Sequence, residues 1–315
     1  MIVNIVPTID VVQDGLGIDN ERNTLTWKAL ENLPDIKQFF DSFQARVTWF
    51  VRADNQLKDV YGTSAYVLDA HANLWQDFLS SGDEIGWHPH IYKRDGRDGQ
   101  YVLDRDVVRC VQQMRSTWSD LQREGHVFSS LRMGECFHVN ETMKAAADLG
   151  LLVDSTAIPG RKRQDSARVF DWETTLAEPY FPSHDDYRIS GSVGALPILE
   201  VPLTTIEVQT SYDRQPLKRY LNLTFHHALF RGGVDGYLRS TCSRRKDSAV
   251  IVTVFLPDEI NRNETNHPLH AFSITEARRN LDYMLKAIES FGCGYRFLRV
   301  QDVLEKYVPI TEHYS

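Results

Sequence analysis

The feature that most constrains this chain is a rhythm. Eight short apolar runs, "IVNIVPTI", "RVTWFV", "DEIGWH", "VFSSLRM", "GLLVDS", "LPILEVPLT", "AVIVTVFL" and "YRFLRV", recur along the 315 residues, and amphipathic stretches lie between many of them. Runs of this length without alternating polarity are strands buried on both faces. The intervening stretches carry helix punctuation. "PDIKQFFDSF" opens on a proline suited to a first turn, "DRDVVRCVQQMRSTWSDLQRE" places apolar residues at three- and four-residue steps, and "VNETMKAAADLG" and "TEARRNLDYMLKAIESFG" stop at a glycine. Strand, helix, strand with apolar strands means parallel pairing covered by helices. Eight such strands in series predict an α/β fold, a closed or nearly closed (β/α) barrel rather than an open doubly wound sheet. The rhythm is interrupted at residues 160–195 and 257–272, which read as loop insertions near the active face.

Composition narrows the partners. A formal charge of −8 offers no sequence-wide field for nucleic acid. The opening "MIVNIVPTID" lacks the basic start and long apolar core of a signal peptide, and no run approaches the roughly 18 apolar residues that span a bilayer. A cytoplasmic protein without an integral membrane segment is the expectation. Cys110, Cys136, Cys242 and Cys293 lack paired spacings and read as lone thiols.

The chemistry concentrates in "GDEIGWHPH", residues 82–90. In an extended segment alternate side chains share a side, so His88 and His90 project together, with Pro89 restricting the backbone between them. Two neutral imidazoles on one rigid loop can chelate a transition metal; two histidines that merely close a strand end would show the same spacing. Position favours chemistry, because catalytic groups collect at the C-terminal ends of barrel strands. Asp10 and Asp14 in "TIDVVQD" close the first strand. Either would complete a set of one carboxylate and two histidines with open positions for water and substrate, although a turn-forming or capping carboxylate is equally ordinary there.

Taken in order, these segments resemble the polysaccharide deacetylase (NodB-homology) family. The matching stretches are "TID", "ARVTWFVRAD", "GDEIGWHPH", "SLRMGECFHVNETMKAAADLGLLVDSTAIPG", and the late "LPILEVPLT" and "FGCGYRFLRVQDVLEKY". The resemblance implies a distorted seven- or eight-stranded (β/α) barrel and one catalytic domain over residues 1–315. It further implies a hydrolase that removes an acetyl or other small acyl group from an amino sugar. In that scheme Asp10 is the general base, Arg132 holds and orients it, and His88 and His90 bind a divalent metal with Asp14, or with Asp10 itself. Zinc is the first choice, with nickel, cobalt or iron as alternatives.

Departures from the family pattern are specific. Tyr92 stands where a second histidine four residues on would fall, so a His-x-His form with His90 is adopted. Val11 and Val12 occupy the usual place of the metal carboxylate. Leu256, in "TVFLPDEI", replaces the histidine expected as general acid. His226 is taken as its substitute, with His227, His267, His270, Asp258 and Glu259 as alternatives. Trp87, beside His88, is a candidate wall for a sugar ring. Arg161, Lys162 and Arg163 in "RKRQDSAR" form either a solvated face or a seat for a substrate phosphate. The expected substrate is a small-molecule, lipid-linked or nucleotide-linked saccharide intermediate. Two other readings fit the departures: a metal-poor hydrolase of cyclic amides, and a non-catalytic saccharide-binding barrel.

Overall fold

The fold was described from a computed structural model of the chain. The structure describes all residues except 15–24, 96–98, 166–167, 192–193, 243–247, 263, 265 and 308–315.

All eight apolar runs are strands of one parallel sheet. They are β1 (Ile2–Val11), β2 (Thr48–Arg52), β3 (Glu84–His88), β4 (Ser130–Leu131), β5 (Val153–Asp154), β6 (Leu199–Glu200), β7 (Ser248–Phe255) and β8 (Gly294–Phe297). The order is β6-β5-β4-β3-β2-β1-β7, and β8 pairs with the first residues of β1. Seven strands thus curl into a half-barrel. Between β6 and β7 the wall is bridged by single bonds rather than a ladder: Thr204 N–H donates to the Val252 carbonyl at 3.3 Å and Val254 N–H to that of Leu221 at 3.0 Å.

Side-chain alternation divides the apolar residues into two layers. Ile5, Ile9, Trp49, Val51, Trp87 and Leu131 face the helices. Val6, Phe50, Val153, Leu199, Val252 and Val254 fill the barrel interior. Gly86 makes room for that filling, because a Cβ there would lie 2.7 Å from the Phe50 ring. The lower interior is polar but satisfied: Glu84 accepts from Thr48 Oγ1 at 2.8 Å, from Ser130 Oγ at 2.5 Å and from Gln301 N–H at 3.1 Å. Burial raises its pKa.

Helices cover the outer layer. Val107–Arg123 begins at Asp106, whose carboxylate accepts from Arg109 N–H at 3.1 Å, and buries Cys110, Met114, Trp118 and Leu121 on one stripe. Leu33–Asp41, Asn140–Asp148 and Ile274–Ser290 fall where the sequence places them. His227–Cys242 does not announce itself, since Gly232, Gly233 and Gly236 weaken the helical signal. Gly233 is required by packing, as a Cβ would meet Ile206 Cδ1 at 2.6 Å. The interruption at 160–195 contains a hairpin, Lys162–Gln164 with Val169–Asp171; the one at 257–272 opens with a 3-10 turn, Pro257–Glu259. Cys242 and Cys293, 51 residues apart, bring their sulfurs to 3.7 Å, so they are not isolated thiols in space. No helix among the described residues is long and apolar enough to cross a membrane.

Candidate functional site

A cavity of about 160 Å³ opens at the C-terminal ends of the strands and is lined by Asp10, His88, His90 and Arg132 among others. Each arrives there for a local reason. Asp10 is the inward neighbour of outward Ile9 on β1. His88 ends β3, inward after outward Trp87. Arg132 directly follows β4, its N–H bonded to the Trp87 carbonyl at 2.9 Å.

Arg132 is 1% exposed and ties three strands together. Its Nη1 donates to Asp10 Oδ1 at 2.7 Å and Thr8 Oγ1 at 2.8 Å, its Nε to the Ser155 carbonyl at 2.6 Å and its Nη2 to Ser155 Oγ at 2.9 Å. The guanidinium also lies over the Phe50 ring. These bonds engage Oδ1 of Asp10 and leave the other oxygen for the cavity. A partly buried carboxylate held by a buried arginine is fixed in orientation, which is what a base at this position requires.

The two imidazoles meet edge to face with centroids 4.9 Å apart, and both rings are buried. Burial lowers the pKa of His88 and, with the nearby Arg52 charge, lowers that of His90 further, so both are neutral at pH 7. His90 is locked from three sides. Its N–H donates to Asp54 Oδ2 at 3.2 Å, and its ring lies over Gly134, where a Cβ would come within 2.5 Å of Cγ. Its Nδ1 is 3.1 Å from Tyr92 Oη, and the Tyr92 hydroxyl donates to Glu135 Oε1 at 3.0 Å. Arg168 pairs with the Glu135 carboxylate, whose oxygens accept from it and from Tyr92. The single hydroxyl hydrogen of Tyr92 is therefore committed to Glu135, and His90 Nδ1 must be the donor to Tyr92. A neutral His90 then carries a bare lone pair on Nε2. That atom, and Nδ1 of His88, are buried without a hydrogen-bond partner.

Two unpartnered imidazole nitrogens and a carboxylate in one cavity form a donor set whose chemistry fits a divalent transition metal. The acceptor that such a histidine needs for its other ring nitrogen is present in Tyr92, 3.1 Å from His90 Nδ1. The ligand atoms of Asp10, His88 and His90 do not all lie within 4.8 Å of one another. Among the described residues, the His/Cys/Asp/Glu trio whose ligand atoms all lie within 4.8 Å of one another is Asp69, Glu124 and His126. That trio is largely exposed and precedes β4, away from the strand ends that carry the cavity. His126 there is already bonded to Asp69 at 3.0 Å.

Other residues singled out in the sequence fall elsewhere. Asp14 does not line the cavity; its two oxygens accept from the N–H groups of Lys28 and Ala29 at 2.7 and 2.8 Å, a helix-capping use of the carboxylate. Trp87 is fully buried on the helix side, against Trp118, with its indole N–H on the Ala53 carbonyl at 2.8 Å. It is no wall for a ligand, because the alternation that turns His88 inward turns its neighbour outward. His226 is also absent from the cavity wall: its Nε2 lies 2.7 Å from the His267 carbonyl. His227 pairs with Asn280 and His270 with Thr224, both at 2.8 Å. Leu256 does line the cavity, and Glu259 folds back to accept its N–H at 3.1 Å and Asn222 Nδ2 at 2.7 Å. Burial pushes the Glu259 carboxyl up to about 8. Arg161, Arg163 and Arg168 line the cavity, whereas Lys162 turns away to Asp171 at 2.8 Å. Tyr92, Glu135 and Gly134 were not legible as site residues. Tyr92, two positions beyond His90 and so on its side of an extended segment, carried the one usable signal.

A larger groove of about 690 Å³ lies between helix His227–Cys242 and the hairpin Thr205–Val208/Leu217–Tyr220; none of its lining residues is a histidine, a cysteine or an arginine.

Fold and cavity define a curled (β/α) half-barrel with its polar centre at the strand ends, an architecture shared with solved structures described as polysaccharide deacetylases. No protein-family model and no curated protein sequence matches the chain. The similarity is structural. A protein of Mycobacterium smegmatis described as a polysaccharide deacetylase superposes with a TM-score of 0.51 at 13% identity, over 96% of this chain and 89% of that one. Puue allantoinase superposes with a TM-score of 0.56 at 12% identity, over 99% and 92%.

Proposed function

We propose that the chain is a metal-dependent hydrolase that removes an acetyl or other small acyl group from an amino sugar or glycoconjugate intermediate in the cytoplasm. The observation that carries this reading is the pair of buried, neutral imidazoles, each with an unpartnered ring nitrogen, in a cavity shared with the Arg132–Asp10 pair. His88 and His90 would hold the metal, zinc by preference, which when bound supplies Lewis acidity and lowers the pKa of water toward neutrality. Asp10 takes a proton from the water as it adds to the acyl carbonyl carbon, and Arg132 keeps the Asp10 carboxylate aimed. His90 is held in the required tautomer by Tyr92. Met133, Leu203, Val254 and Leu256 form the apolar part of the wall. His226 does not line this wall, so the proton that Asp10 took from the water is the one returned to the departing amine as the C–N bond breaks.

The loose spacing of the donor set favours a second reading, a metal-poor hydrolase that opens cyclic amides, and the likeness to an allantoinase supports it. Elemental analysis of protein purified without chelator, with Asp10→Asn alongside, tests both. Stoichiometric transition metal in the wild type, retained in an Asp10→Asn variant that no longer releases acetate from N-acetylated sugars, supports the deacylase with Asp10 as base. Loss of metal together with activity makes Asp10 a ligand. A metal-free, active wild type refutes metal dependence.

A further inference from the structure

The cavity's charge is opposite to that of the chain. The sequence carries a formal −8, yet the cavity wall presents four arginines, Arg132, Arg161, Arg163 and Arg168, against two carboxylates, Asp10 and Glu135. Three of these guanidinium groups have acidic partners: Asp10 for Arg132, Asp165 for Arg163 and Glu135 for Arg168. Arg161 has none among the described residues. Its Nη1 donates to the Lys218 carbonyl at 2.8 Å, and burial together with the neighbouring Arg219 and Arg163 charges pulls its pKa down. A partly desolvated cation among other cations is unfavourable until an anion arrives.

The backbone holds Arg161 in place for that anion. Its N–H donates to the Ile158 carbonyl at 3.1 Å and its own carbonyl accepts from Trp172 N–H at 2.8 Å, so the residue is pinned between the segment after β5 and the returning hairpin. Alternation along that hairpin puts Arg161 and Arg163 on the cavity side and Lys162 on the other. The cavity is also small, about 160 Å³, below the size of common drug-like sites. An anion seated on Arg161 must therefore belong to the reacting unit itself and not to a distant part of a polymer.

We propose that the substrate carries an oxyanion, a carboxylate or a phosphate ester, that seats on Arg161 within about one sugar ring of the acyl group facing Asp10, His88 and His90. The oxyanion seat rests on Arg161 alone; the placement of the acyl end rests on the hydrolase reading above. A neutral repeat unit of a structural polysaccharide would leave Arg161 without a counter-charge.

Calorimetric titration with N-acetylglucosamine, N-acetylglucosamine 6-phosphate, N-acetylmuramate and inorganic phosphate tests the seat, with acyl release measured separately. At least one anionic sugar should bind about tenfold or more tightly than the neutral one, and its affinity should fall with added salt. Phosphate against carboxylate identifies the source of the charge. Arg161→Gln should abolish that preference, Arg161→Lys should keep part of it, and Lys162→Gln should leave it intact. Equal binding of neutral and anionic sugars, no binding of any probe, or an anion preference that survives Arg161→Gln overturns the proposal. If Arg161→Gln does not fold, judged by its melting curve, salt-insensitive binding to the wild type does so. Anion-selective binding without acyl release would leave the seat standing and remove the deacylase.

Discussion

Tyr92→Phe removes one oxygen and isolates the argument for the His90 tautomer. In the wild type the Tyr92 hydroxyl accepts from His90 Nδ1 at 3.1 Å and donates to Glu135 Oε1 at 3.0 Å. Phenylalanine leaves the buried Nδ1–H without an acceptor and takes one donor from Glu135, which Arg168 still holds. Leaving one buried donor unsatisfied costs about 1–3 kcal/mol, and the free energy of unfolding should fall by that amount. The proton on His90 is then free to move to Nε2, which destroys the lone pair on that atom. Loss of such an outer partner weakens metal binding by about 10–100-fold, which corresponds to about 1.4–2.7 kcal/mol. Long-range 1H–15N spectra of the imidazoles read the tautomer directly, and zinc titration against a competing chelator reads the affinity. Wild-type His90 with its proton on Nε2 would refute the relay outright. So would a Tyr92→Phe variant with unchanged tautomer and unchanged zinc affinity.

Two further outcomes follow from the same geometry. Gly134→Ala places a Cβ 2.5 Å from the His90 ring, about 1 Å inside ordinary contact, so the ring must shift or the backbone yield. Stability should drop by about 1–3 kcal/mol and acyl release should fall at least tenfold; a variant of wild-type activity means His90 is not needed where it lies. Glu259 bears on pH dependence. Its folded carboxyl stays neutral to about 8 while the unfolded chain ionises near 4.5, so its contribution is complete below 4.5 and is lost as pH rises through 8. Between those limits stability should decline by up to about 1.4 kcal/mol per pH unit in the wild type relative to Glu259→Gln. Urea midpoints at pH 5, 7 and 8.5 that run parallel in the two proteins would show that Glu259 is not buried as a neutral acid.

The sequence by itself determined the eight strands, the helices that carry a clean three- and four-residue period, and the shared side of His88 and His90. These are local properties: periodicity, capping residues and alternation act over a few residues and need no knowledge of what packs opposite. The same alternation, applied to Trp87, already places it on the helix side, so that expectation failed against information the sequence contained. Only the tertiary structure decided that Arg132 reaches Asp10 across 122 positions, that Tyr92 and Glu135 meet across 43, and that Cys242 and Cys293 adjoin. It alone gave the oxygens of Asp14 to Lys28 and Ala29, drew His226 to the His267 carbonyl, and seated His90 on Gly134. A polar side chain takes whichever buried partner the packed strands and loops present to it, and that choice is made by distances between segments, which no local pattern encodes.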